Sequence, residues 1–173
     1  SPIYVVDAFA RAPFSGNPAG VCILESPAEE DWMQSVAAEM KHAETAFAVP
    51  DRDGYMLRWF TPAAEVNLCG HATLATAHVL WNTGRIPSGT DARFSTKSGL
   101  LTCTQRGARI AMNFPAMPAL ECKPPRGLIE ALGLEAVWIG SNAFDILVEL
   151  EDEQAVRRAS PDFPALKSIE ARG

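Results

Sequence analysis

Leu68-Cys69-Gly70-His71-Ala72-Thr73-Leu74-Ala75-Thr76-Ala77-His78-Val79-Leu80-Trp81-Asn82 is the stretch on which the fold turns. It predicts a helix starting at Gly70 or His71 and ending at Asn82, with Gly84 as its C-terminal cap. Ala72, Leu74, Ala75, Ala77, Val79, Leu80 and Trp81 spread apolar side chains almost all round it. A helix that is apolar on every face must be enclosed by protein. The expectation is a central helix wrapped by strands.

The flanking sequence supplies those strands. Residues 3–9 (IYVVDAF) and 19–24 (AGVCIL) are rich in β-branched and aromatic residues, and the turn formers of 10–18 between them suggest a hairpin with a long loop. Residues 45–49 and 55–60 read as a second hairpin across Asp51-Arg52-Asp53-Gly54. Three more strands are expected at 93–96, 100–104 and 109–114, while 61–68 reads as a loop. Ser26-Pro27-Ala28-Glu29 has the form of a capped helix start, so a helix is expected from there to about Met40. Trp32, Val36 and Met40, beside Met33 and Ala37, would be its core face.

Pro115, Pro118, Pro124 and Pro125 then crowd together and mark a lobe boundary. Residues 1–117 form the first lobe and 118–173 begin a second. The second carries a short helix at 127–132, strands near 137–139 and 146–150, and a helix at 151–159. About seven strands and two helices in the first lobe make it α+β, a mixed or antiparallel sheet curled round the apolar helix.

Composition narrows the function. Of 173 residues, 47% are hydrophobic and 21% charged, which is ordinary globular usage. A net charge of −6 with scattered Lys and Arg argues against a nucleic-acid partner. No apolar run is long enough to span a bilayer, and no secretory signal opens the chain. The four cysteines Cys22, Cys69, Cys103 and Cys122 form no CxxC pair, so reduced thiols in the cytoplasm are expected rather than disulfides or a zinc module.

Several residues could carry chemistry. The start of a helix presents unpaired N–H groups, and Gly70 would let a carboxylate approach the backbone closely. The alternative is that Gly70 makes a tight turn and His71 packs. His71 and His78 lie two turns apart, too far to share a metal, and His78 reads as a core or helix-end histidine. Cys69 precedes the helix start and is either a buried thiol or a nucleophile. Glu44 enters an apolar strand. By spacing it is a surface residue at a strand edge, whereas burial would raise its pKa toward the range useful for proton transfer. Asn17 and Ser98 sit in turns.

Taken in order, Asp7-Ala8-Phe9, Ser15-Gly16-Asn17-Pro18-Ala19, Ala43-Glu44-Thr45-Ala46-Phe47, Arg58-Trp59-Phe60-Thr61-Pro62, Cys69-Gly70-His71-Ala72-Thr73-Leu74-Ala75 and Thr96-Lys97-Ser98-Gly99-Leu100 resemble the phenazine-biosynthesis PhzF-like family, a branch of the diaminopimelate-epimerase-like fold. The resemblance is dense over residues 3–117. It implies two similar lobes, each a barrel-like sheet round a central helix, and a cofactor-independent isomerase or epimerase that acts on a small carboxylate-bearing substrate as a homodimer. Glu44 matches the family's acid/base. Gly70, His71, Ala72 and Thr73 match its helix-start substrate site, with Asn17 and Ser98 as further lining. Cys69 falls where related epimerases and racemases keep a catalytic cysteine, and here is expected to line the site. The family's second lobe carries an Asp-Pro-x-Thr-Gly-Ser type segment that these residues lack. The second lobe is therefore expected to be incomplete in this chain, and activity is not expected from these residues alone. The rival reading is a non-catalytic small-molecule binding protein on the same scaffold.

Overall fold

Strand β1 (Ile3–Ala8) and strand β2 (Asn17–Ile23) pair antiparallel, with Ile3 opposite Cys22 and Ala8 opposite Asn17. The computed structural model describes residues 1–12 and 14–171, so Pro13, within the loop expected between these strands, lies outside the described residues. The chain divides into two units, Ser1–Phe114 and Pro115–Gly173.

In the first unit, helix α1 (Glu30–Met40) carries the chain over to β3 (Glu44–Asp51), which runs parallel to β2. A two-residue turn at Arg52 and Asp53 leads into β4 (Gly54–Phe60), antiparallel to β3. The short strand β5 (Glu65–Val66) pairs with β4 inside what the sequence presents as a loop. Helix α2 (Gly70–Asn82) follows, then β6 (Ala92–Thr96), β7 (Gly99–Arg106) and β8 (Arg109–Asn113). The strand order is β1-β2-β3-β4-β6-β7-β8, with β5 on β4. Both parallel pairs, β2 with β3 and β4 with β6, are joined through a helix, as a crossover between parallel strands requires.

The mixed sheet curls as a half-barrel, and α2 packs on β1, β2 and β3. Ala72, Ala75, Ala77 and Leu80 of this helix are fully buried. Around them lie Ala19, Val21, Ile23, Ala46, Ala48, Leu57, Trp59, Phe94 and Leu101. The alternate residues Cys22, Leu24, Phe47, Val49 and Phe60 face the other way and form a second core with Met33 and Ala37 of α1. With both faces covered, β2 and β3 read as continuous apolar runs rather than alternating ones.

Gly54 fixes where β6 can lie. Its φ is +146°, and a Cβ there would stand 2.3 Å from the carbonyl oxygen of Arg93. Only glycine lets the two backbones come this close.

The start of α1 differs from expectation. Ser26 does not cap it; the helix begins at Glu30 with Glu29 as N-cap and no side-chain capping bond. Glu30 and Asp31 instead place negative charge on the first turn, where the helix dipole favours it. Met33 and Ala37 centre the buried face, while Trp32 stays 44% exposed and meets Phe47 only edge-on.

The second unit holds β9 (Leu120–Glu121), β10 (Trp138–Ser141) and β11 (Ile146–Glu149), an antiparallel sheet in the order β11-β10-β9. Helix α3 (Leu128–Leu132) ends at Gly133 in the left-handed region. Helices α4 (Glu153–Arg158) and α5 (Phe163–Leu166) are capped by the side chains of Asp152 and Asp162. The two-residue β9 and the four-residue α5 are too short to leave a periodic signal in the sequence. Among the described residues no helix is long and apolar enough to cross a membrane.

Candidate active site

Glu44 is the first residue of β3 and lies opposite Ala19 of β2. Side chains alternate along a strand, so Glu44 shares the α2 face with Ala46 and Ala48. Asn17 shares that face with Ala19 and Val21, and being two residues before Ala19 it lies roughly 7 Å along the strand from Glu44's level. Asn17 is exposed at the head of β2.

Helix α2 starts on the same face. Cys69, its N-cap, is extended, and no side-chain hydrogen bond caps the first turn. The N–H groups of Ala72 and His71 approach the Cys69 sulfur instead. A Cβ on Gly70 would meet nothing within 4 Å, so the space over the helix start is open. Ala72 and Thr73 are fully buried, and the Thr73 hydroxyl donates to the Cys69 carbonyl at 2.6 Å. What these two residues can offer a ligand is therefore backbone N–H, not side chain.

His71 brings the groups together. Its Nε2 lies 3.3 Å from Glu44 Oε2, and its Nδ1 lies 3.4 Å from Cys69 Sγ. The Nε2–Oε2 pair is within ion-pair range but is not aligned as a hydrogen bond, and Nε2 has no other hydrogen-bond partner. The His71 side chain is only 10% exposed and that of Glu44 21%. Burial holds the His71 pKa below its ordinary value, although the Glu44 charge pulls it upward. The imidazole is thus neutral near pH 7.

Burial pushes the Cys69 thiol up to about 12, and the charge and hydrogen bonding of Glu44 add to the rise. A thiol with that pKa is not a thiolate at neutral pH, which weakens a nucleophilic role. Cys22 and Cys103 are fully buried, and burial raises both of their pKa values.

Ser98 sits in the turn between β6 and β7, and its hydroxyl donates to the carbonyl of Asn67 at 2.8 Å. That bond ties the turn to the loop that delivers Cys69. His78 is exposed and bonded to Asn82, so it belongs to neither the core nor this cluster. A pattern on a helix apolar almost all round hides that His78 and Asn82, toward its C-terminal end, face out.

The sequence reading passed over Arg58. Its guanidinium forks onto Glu65, with Nε to Oε1 and Nη2 to Oε2 both 2.7 Å, and reaches Glu30 of α1 at 2.6 Å. Lys97 also bonds Glu65. These charges join α1, β4, β5 and the turn that carries Ser98. They anchor the 61–69 loop from the α1 side of the sheet. The available signal was a lone arginine in an apolar strand.

Residues 6–173 match the family model for phenazine biosynthesis-like protein, PhzC-PhzF. An uncharacterized isomerase of Halalkalibacterium halodurans is 49% identical over 174 aligned residues, which cover 100% of this chain and 66% of that protein. The crystal structure of a PhzF-family phenazine biosynthesis protein from Enterococcus faecalis superposes with a TM-score of 0.87 at 39% identity, over 98% of this chain and 64% of that one. A predicted epimerase from Pseudomonas aeruginosa, at 22% identity and a TM-score of 0.77, shares the fold over 98% of this chain and 67% of its own. The chain thus spans just under two thirds of the isomerase and of the PhzF-family protein.

Proposed function

Because the chain belongs to the phenazine biosynthesis-like (PhzC-PhzF) family, we propose that it supplies the acid/base half of an isomerase or epimerase that moves a proton on a small carboxylate-bearing substrate. The observation that carries this reading is Glu44, half-enclosed and 3.3 Å from a neutral His71 at the uncapped start of an apolar helix. Glu44 takes a proton from carbon and returns it to the same or a nearby carbon. The N–H groups from Gly70 to Thr73 hold the substrate carboxylate and stabilise the charge that develops beside it. His71 orients the substrate, and Asn17 and Ser98 line the approach. The raised thiol pKa of Cys69 supports a lining role for it, not a nucleophilic one. The reaction is a proton transfer and draws on no cofactor.

The test is deuterium exchange. The protein carrying a complete second lobe is incubated in D2O with a panel of small carboxylates bearing an acidic C–H, and loss of that proton signal is followed by NMR. The expected result is incorporation by the wild type and a loss of about 10²–10⁴-fold in Glu44→Gln, with the fold retained. Saturable binding of a carboxylate without any exchange would instead establish the non-catalytic binding reading.

A further inference from the structure

Glu44, Cys69 and His71 bring a carboxylate oxygen, a sulfur and an imidazole nitrogen within 4.8 Å of one another. Sequence spacing compared His71 only with His78 and saw no metal site; the fold adds Glu44 from a different strand. Zinc binds sulfur at about 2.3 Å and nitrogen or oxygen at about 2.0–2.2 Å, so its tetrahedral ligand atoms stand roughly 3.3–3.6 Å apart. His71 Nε2 and Glu44 Oε2, at 3.3 Å, already have that spacing. Cys69 Sγ lies 3.4 Å from Nδ1, the other ring nitrogen, so side-chain torsions must bring the sulfur round to the Nε2 edge, starting from donors that all lie within 4.8 Å.

A second observation is independent of this spacing. His71 Nε2 is buried without a hydrogen-bond partner in a side chain nine-tenths buried. Buried polar atoms are nearly always satisfied, and an orphan of this kind calls for a group that the polypeptide does not supply. Charge also fits. A thiolate and a carboxylate together neutralise a divalent cation, so the positive end of α2 does not oppose it. The N–H groups of Ala72 and His71 near Sγ support a metal-bound thiolate from outside, as metal-site partners do.

We propose that Glu44, Cys69 and His71 form a binding site for one thiophilic divalent cation of the zinc class. On binding, the Cys69 S–H proton leaves to solvent and a sulfur–metal bond forms without change of oxidation state. Nε2 and the Glu44 carboxylate add two further bonds, and water takes the fourth position. On the proton-transfer reading, the ion occupies the carboxylate that moves the proton and holds the site off. The binding itself does not depend on that reading.

The experiment titrates the untagged, metal-free protein with Co²⁺ and then with Zn²⁺. The expected result is one Co²⁺ per chain, a sulfur-to-cobalt charge-transfer band and tetrahedral visible bands, all displaced by Zn²⁺. Cys69→Ser removes the sulfur band, and His71→Gln and Glu44→Gln each weaken binding by about ten-fold or more. Cys122→Ser, which changes a thiol in the other unit, leaves the spectrum as it was. Circular dichroism checks that each variant is folded. Absence of the sulfur band, or its persistence in Cys69→Ser, overturns the proposal. The bands are read without turnover, so a protein with a complete second lobe that fails to exchange deuterium yet gives them refutes the proton-transfer reading alone.

Discussion

Oε2 of Glu44 stands 3.3 Å from Nε2 of His71, linking the first residue of β3 to the second residue of α2. Two opposed effects set the titration of that histidine: burial lowers its pKa, and the Glu44 charge raises it by a smaller amount. Glu44→Gln removes only the upward pull, so the His71 pKa should fall further. In the unfolded chain the same histidine takes a proton near pH 6.5. Stability should therefore decline as pH drops from about 6.5 toward the folded pKa, by at most about 1.4 kcal/mol per pH unit from this group. Imidazole NMR shifts against pH measure the first effect, and melting temperature against pH the second. A His71 pKa that rises in Glu44→Gln would show that the carboxylate does not act on the ring as its position implies.

The thiols make a separate prediction. With a pKa near 12, Cys69 holds about one thiolate in ten thousand at pH 8. Cys22 and Cys103 are buried, whereas Cys122 is partly exposed. Brief alkylation of the native protein should mark Cys122 and spare the other three, as read by peptide mass mapping. Rapid labelling of Cys69 would reverse the assignment and restore a nucleophile to the site.

Much of the scaffold was legible in the sequence because its signals are local. Helix α2 is apolar on every face, so its enclosure followed from composition alone. The turn at Arg52 and Asp53 announced the β3–β4 hairpin. The start of α1 was misplaced because Ser26, Pro27 and Glu29 satisfy a capping pattern, while the helix itself begins at Glu30 and is buried through Met33 and Ala37 in the cluster that holds Phe47. The site was legible only in pieces. Glu44 and His71 stood out in motifs, but their adjacency depends on the register of β3 against β2 and on the face to which α2 docks. Neither is written in spacing. Arg58 was missed for the same reason, since its partners Glu65 and Glu30 come from two other elements, β5 and α1.

Gly54→Ala probes the approach of β6 to β4. The substitution places a methyl group 2.3 Å from the Arg93 carbonyl at a φ of +146°. Strain and overpacking together should cost about 2–4 kcal/mol. Gly107→Ala is the control, because its φ is also positive, at +61°, but its Cβ meets open space. It should cost only about 1–2 kcal/mol. Urea denaturation of both variants measures the difference. Equal losses would mean that backbone conformation alone, not the contact with β6, dictates glycine at position 54.

Arg58→Met tests the charge cluster behind the loop. The Glu65 side chain is 10% exposed and would keep only Lys97 as a partner. Removing one member of a fully buried pair costs about 3–5 kcal/mol; with Arg58 itself 25% exposed and Lys97 still in place, about 1–3 kcal/mol is expected. The pH dependence identifies the source. Hydrogen bonds from Arg58, then from Lys97, hold the Glu65 pKa below its ordinary 4.5 despite partial burial. The stabilisation from Glu65 is therefore complete above about pH 4.5 and is lost as pH falls through the folded pKa. Without Arg58 the folded pKa moves back toward the unfolded one, and this part of the acid loss should shrink. Urea midpoints at about pH 7, 5 and 3 separate the cases. A variant weaker at pH 7 but closer to wild type at pH 3 places the stabilisation in the ion pair. A loss of the same size at all three pH values would assign it to the packing of the Arg58 stem over Phe60, whose ring centroid lies 5.1 Å from the guanidinium carbon.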